Sequence, residues 1–224
     1  MLKYVALGDS TGAGVGANGE GYPELLFQRL KAAGYPVGIL NVSQSGATTS
    51  QLLGGQVQKA ASKSPDLVTL GVGTNDLWKM VPLDTFRMNV KLIADAMERS
   101  GAEVIVSNIT DLSLAPVAAV IEAFFMVPKA MFVSRLRQFN DVIGALARRP
   151  RFTVVDVYGQ SRAELASPQG DELFCPDGFH PSPKGYQRWT ELLWPQVEAA
   201  AKRWREAHPV EPEGSPESSG SLES

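Results

Sequence analysis

Five short apolar runs, rich in β-branched residues, recur along this chain, and stretches with helical spacing separate them. The runs are residues 4–7, 37–42, 67–72, 104–109 and 152–157. Their nearly continuous apolar character suits strands buried on both faces, as in a parallel sheet covered by helices. Residues 22–33 carry Leu25, Leu26, Phe27 and Leu30 and close on Gly34. Residues 83–99 set Phe86, Val90, Ile93 and Met97 at helical spacing and stop at Gly101. Pro128 can open a longer helix with Phe132, Leu136, Phe139, Ile143 and Leu146 on one stripe. Ser182-Pro183 is a good N-cap and first-turn pair for a last helix running towards Arg205. This alternation predicts a three-layer α/β/α domain with a five-stranded parallel sheet and right-handed crossovers.

At 224 residues the chain is within the single-domain range. Residues 1–208 are expected to form that domain. From Pro209 onward the chain is largely Pro, Glu, Ser and Gly, so residues 209–224 are expected to be a disordered acidic tail. The net charge is −3, and the tail holds four glutamates and no Lys or Arg, which leaves the body at +1. A nearly neutral body argues against nucleic acid as a partner. No apolar run approaches the roughly 18 residues of a membrane span. The N-terminus does not read as a signal peptide, so cytoplasmic residence is the default expectation. Cys175 is the sole cysteine, which excludes an intramolecular disulfide and a cysteine metal site.

Open parallel sheets bind ligands outside the carboxyl ends of their strands. The notable polar clusters fall there. Gly8-Asp9-Ser10-Thr11-Gly12-Ala13-Gly14 follows the first strand, Ser43-Gln44-Ser45-Gly46 the second and Gly73-Thr74-Asn75-Asp76 the third. Asp177-Gly178-Phe179-His180 lies beyond the fifth. Ester cleavage by serine needs a base for the hydroxyl proton, a partner that orients that base, and donors for the oxyanion. Ser10 sits in a glycine-flanked turn that can present its hydroxyl. Of the two histidines, His208 lies at the edge of the tail, which leaves His180 as base. Asp177, three residues earlier, can reach the other imidazole nitrogen. The Ser10 amide, the Gly46 amide and the Asn75 side chain can serve as oxyanion donors. Asp76 is expected to support its loop. Asp9 is expected to be a structural hydrogen-bonder, because its charge would oppose an oxyanion.

These blocks resemble those of the GDSL, or SGNH, hydrolases: Gly8-Asp9-Ser10 with Gly14, then Gly46, then Gly73-x-Asn75-Asp76, then Asp177-x-x-His180. They occur in family order over residues 8–180. Thr11 stands where the eponymous leucine would be, at a position that varies in the family. The resemblance implies a flavodoxin-like sheet, no metal or other cofactor, and esterase, thioesterase or lipase-type activity on a small acyl ester. Within that range, a carbohydrate acetylesterase is the alternative to an enzyme for short- to medium-chain acyl groups.

Three other features invite different readings. Residues 112–131 are unusually apolar, follow the fourth strand and are long for a simple connection. Part of that segment, with Phe124, Phe125 and Met126, is expected to form an acyl pocket or lid. Cys175 is five residues from His180, but it lacks an oxyanion scaffold and is expected as a thiol at the rim of the site. Gly14-Val15-Gly16-Ala17-Asn18-Gly19 matches a dinucleotide-binding fingerprint. However, the first strand ends several residues before these glycines, and no acidic residue closes the second. A dinucleotide-binding module would also leave Asn75, Asp177 and His180 unexplained, and the presence of both Ser10 and His180 argues against a non-catalytic carbohydrate-binding domain.

Overall fold

The computed structural model describes residues 1–118 and 128–209. The five apolar runs form β1 (Leu2–Gly8), β2 (Val37–Asn41), β3 (Leu67–Gly71), β4 (Glu103–Ser107) and β5 (Phe152–Val155). They make one parallel sheet in the order β2-β1-β3-β4-β5. The carboxyl ends of β1 and β3 come level, with Gly8 opposite Gly71. The loops after them therefore leave the sheet side by side. β1 and β3 are almost wholly buried, whereas β2, at the edge, is only half-buried.

The described helices are α1 (Tyr22–Ala32), α2 (Thr49–Gln51), α3 (Val57–Ala61), α4 (Thr74–Trp78), α5 (Leu83–Ser100), α6 (Lys129–Gly144), α7 (Val157–Leu165) and α8 (Pro183–Ala207). Alternation along the strands divides the core into two layers. Val5, Leu7, Val68, Leu70, Val104 and Val106 pack with residues of α3, α5 and α6. Leu2, Tyr4, Ala6, Leu67, Ile105 and Val155 pack with α1 and α8. Local chemistry sets the ends of the helices. Gly101 closes α5 with φ of +77°. The Ser182 hydroxyl accepts the Gly185 amide at the start of α8.

The sequence reading differs from the structure in two places. Val157, expected to end the fifth strand, begins α7, because the Asp156 carboxylate caps the Gly159 amide at 2.9 Å. Residues 49–61, which carry no clear pattern, form α2 and α3 joined by a π-helical turn, Leu52–Gln56. The Gly54-Gly55 pair weakens any helical signal there, and π-turns interrupt the periodicity on which such signals depend.

In the apolar 112–131 segment, Leu112 and Ala115 are buried in the core, and Val117 packs against it. Phe124, Phe125 and Met126 lie outside the described residues, as does the acidic tail beyond Pro209. Among the described residues no helix is long and apolar enough to cross a membrane.

Phe86, fully buried, stacks on Phe139 with ring centroids 4.2 Å apart and joins α5 to α6. Phe86→Ala should cost about 3–5 kcal/mol in denaturant unfolding through the cavity left behind. Met88→Ala, two residues further along on the exposed side of α5, should stay within about 0.5 kcal/mol.

Candidate active site

The loop after β1 is held by side chains from two other segments. Gln56, buried in the π-turn, accepts the Gly8 amide and donates to the Gly8 carbonyl, both at 2.9 Å. Asn41, at the end of β2, donates to the Gly12 carbonyl at 2.7 Å. Between these anchors the chain makes a helical turn, in which the Ala13 amide donates to the Asp9 carbonyl and the Val15 amide to the Ser10 carbonyl. Ser10 is held in that turn, 5% exposed.

The glycines that follow serve the loop itself. A Cβ on Gly14 would lie 2.4 Å from Gly19, and one on Gly16 2.5 Å from the Cys175 sulfur. The Ala17 and Gly19 amides both bond to the Gly14 carbonyl. These are amides that a phosphate-cradling loop would need to leave free.

Asp177 and His180 share one short loop. Asp177 Oδ1 accepts the amides of Phe179 and His180 at 2.9 and 3.0 Å. Its Oδ2 lies 2.6 Å from His180 Nδ1. Burial works against the Asp177 charge, but the bonds from the imidazole and the two amides outweigh it and hold the carboxyl below its ordinary value. Gly178, at φ of +66°, accepts the Val117 amide through its carbonyl and leaves no room for a side chain beside Pro116. Phe179 packs edge-on against both the His180 ring and the Trp78 ring, at 4.9 and 5.4 Å. Cys175 lies beneath the same loop, its thiol donating to the carbonyls of Gly16 and Pro181. Burial, and then the Asp177 charge, push that thiol up, which disfavours a thiolate nucleophile.

The third block ties the others together. Asn75 Nδ2 donates to the Ala47 carbonyl at 3.1 Å and reaches Asp9 Oδ2 at 3.5 Å. One amide group thus joins the residue after Gly46 to the residue before Ser10. Gly46, at φ of +76°, has open space where a side chain would be. Asp76 accepts both the amide and the hydroxyl of Thr49, at 2.9 and 2.5 Å, so it supports its loop as expected.

Ser10 and His180 line one pocket, which is partly open to solvent. Gly46 and Asn75 are not among its walls. Among the described residues no group of three His, Cys, Asp or Glu side chains is placed to hold a metal ion. Sequence reasoning missed Gln56, Asn41, Thr49 and Phe179. Gln56, Asn41 and Thr49 bond to Gly8, Gly12 and Asp76 far away in the sequence, and Phe179 joins its neighbour His180 to the distant Trp78, which no local pattern announces.

Asp9 is 2% exposed and accepts the amide and hydroxyl of Thr11. Burial pushes its carboxyl up to about 6, against the pull of those two bonds. A raised value means that the folded state holds the proton more tightly than the unfolded chain. The group's contribution to stability is therefore fully present below about pH 4 and is lost as the pH rises through 6. At about 1.4 kcal/mol per pKa unit, the loss is at most about 3 kcal/mol. Asp9→Asn removes this dependence. Its stability relative to the unsubstituted protein should thus improve by up to that amount between pH 4 and pH 7, as read from paired denaturant melts.

The profile of the GDSL-like Lipase/Acylhydrolase family matches residues 6–188. The chain is 25% identical to Esterase TesA of Pseudomonas aeruginosa over 194 residues, 86% of each chain. It is 33% identical to an arylesterase of Vibrio mimicus over 108 residues, 48% of this chain and 54% of that one. Its fold matches the crystal structure of the lipase/acylhydrolase from Enterococcus faecalis with a TM-score of 0.71 and 25% identity. That match covers 91% of this chain and 97% of the other. With four blocks in order on a matching sheet, the chain belongs to the GDSL-like lipase/acylhydrolase family and is a hydrolase of carboxylic esters.

Proposed function

We propose that Ser10 is the nucleophile, His180 its base and Asp177 the group that orients and steadies the imidazole. The observation that carries this reading is the 2.6 Å contact between Asp177 Oδ2 and His180 Nδ1, with His180 and Ser10 in the walls of one pocket. With Nδ1–H donated to the carboxylate, the lone pair sits on Nε2, the nitrogen that can take the serine proton. Because the Asp177 carboxyl is held below its ordinary value, this orientation persists at mildly acidic pH.

Hydrolysis then proceeds in two steps. Ser10 Oγ attacks the ester carbonyl as His180 takes its proton. The amides of Ser10 and Gly46 and the side chain of Asn75 stabilise the oxyanion. His180 returns the proton to the departing alcohol, and a water activated by the same imidazole releases the acid. The Asn75 amide already has a good bond to Ala47 and a long one to Asp9. The long bond is the one that an oxyanion would replace.

Short- to medium-chain acyl esters are the substrates of this reading. The names of the esterase and arylesterase relatives support ester substrates.

Hydrolysis of p-nitrophenyl esters from acetate to palmitate tests the scheme. Activity should vanish in Ser10→Ala and peak at short or medium chains. Retained turnover in that variant would remove Ser10 as nucleophile. Asn75→Ala should lower kcat by roughly 10²–10³ if its amide stabilises the oxyanion. A loss confined to KM would make it a ground-state binding group.

A further inference from the structure

We infer that the pocket beneath the histidine loop is a leaving-group site, which takes the alcohol portion of the ester and favours apolar, aryl-like alcohols over polyols. This deepens the serine-hydrolase reading and rests on it.

Three groups radiate from the carbonyl carbon that Ser10 attacks: the oxygen that becomes the oxyanion, the acyl substituent and the leaving oxygen. The oxyanion must face its donors, Gly46 and Asn75. The leaving oxygen must come within hydrogen-bond reach of the imidazole nitrogen that took the serine proton. In that step the bond from Ser10 Oγ to carbon forms, the bond from carbon to the alcohol oxygen breaks, and the proton passes from Ser10 through His180 to the alcohol. Whatever space adjoins His180 on the side away from Gly46 and Asn75 therefore belongs to the alcohol.

The observed pocket has that placement. Its walls include Ser10 and His180 and exclude both Gly46 and Asn75. From the two reactive residues it extends between Val157 and Leu165 of α7 and Trp189 and Leu192 of α8, with Leu173 among its walls. Trp189 stacks on Tyr22 with ring centroids 5.8 Å apart, so this aromatic wall is braced from behind.

The pocket's chemistry selects against hydroxyl-rich groups. Two polar side chains on its α7 and α8 walls are already engaged. The Ser161 hydroxyl donates to the Val157 carbonyl at 2.6 Å. Arg188 is ion-paired with Glu164 at 2.6 Å and Glu191 at 3.1 Å. A sugar entering here would strip water from its hydroxyls without gaining partners for them, which is unfavourable. The aryl body of an aromatic alcohol has no hydrogen bonds to lose on the same path and meets the apolar walls of Val157, Leu165, Trp189 and Leu192.

Esters that share an acyl group pass through the same acyl-enzyme, so their deacylation rates are identical and an alcohol site acts on acylation, which kcat/KM reads. The test compares 2-naphthyl acetate, 2-naphthyl butyrate and methyl acetate in the unsubstituted protein and in Leu165→Trp, which narrows the pocket. Leu192→Trp, on the opposite wall and half-buried, is the second variant. The fall in kcat/KM should be roughly tenfold or more greater for 2-naphthyl acetate than for methyl acetate. It should be the same for both naphthyl esters. In the unsubstituted protein, 2-naphthol should inhibit competitively.

A penalty that grows with acyl length whatever the alcohol would make this an acyl pocket and overturn the proposal. So would equal penalties for the two acetates, or failure of 2-naphthol to compete. Turnover in Ser10→Ala would strike the serine mechanism instead. Calorimetric binding of 2-naphthol to Ser10→Ala reads the pocket separately from that mechanism.

Discussion

At the end of β1 the chain must leave the sheet abruptly to present Ser10. A backbone that leaves a ladder deprives its amide and carbonyl of their usual partners. Gln56 supplies both partners at Gly8 with one side-chain amide, from a buried position 48 residues further along the chain. Loss of either bond in that interior would leave a polar group without water, at a cost of about 1–3 kcal/mol. The π-helical turn brings Gln56 to this place, and such turns are frequent where a helix must aim one side chain outside its regular spacing. The Ser10 loop, the Asn41 anchor on Gly12 and the Asn75 bridge to Asp9 all start from the position at which Gly8 is fixed.

Most of the architecture was legible in the sequence because it follows from repeating local physics. Runs such as 67–72 and 104–109 are apolar on both sides, and only a covered parallel sheet has use for that. Gly101 and Ser182-Pro183 mark helix ends by their own chemistry. The candidate site residues were legible for a different reason: Ser10, Gly46 and Asn75 follow strand ends closely, and Asp177 and His180 stand together on one short loop before the last helix. What remained hidden depends on long-range geometry. Gln56 lies next to a glycine pair that obscures its helix, and Phe179 acts through rings that only the folded chain brings near. The apolar segment after β4 suggests an acyl pocket by composition; of its described residues, Leu112 and Ala115 are in the core, and Leu112 also lines the pocket beside Ser10. Other walls of that pocket come from α7 and α8, whose apolar residues look like ordinary core positions in the sequence.

The glycine-rich stretch after Ser10 shows how one motif can serve two physical purposes. In a dinucleotide fingerprint, glycines let a pyrophosphate approach the backbone. Here they let the chain approach itself and the histidine loop. Gly14 closes on Gly19, and Gly16 makes room for Cys175, whose thiol bonds to the Gly16 carbonyl. The serine loop and the histidine loop, 159 residues apart at this contact, are thereby packed together without a covalent link.

Asp177 and His180 lie on one loop stiffened by three hydrogen bonds within four residues, and Ser10 lies on another. The acid–base pair therefore travels as a unit. A small displacement of either loop alters one coordinate, the approach of imidazole to serine, and leaves the coupling between carboxylate and imidazole intact. Substitutions in the packing beneath the histidine loop can then tune reactivity continuously, as a screw sets a gap, without dismantling the proton-handling pair.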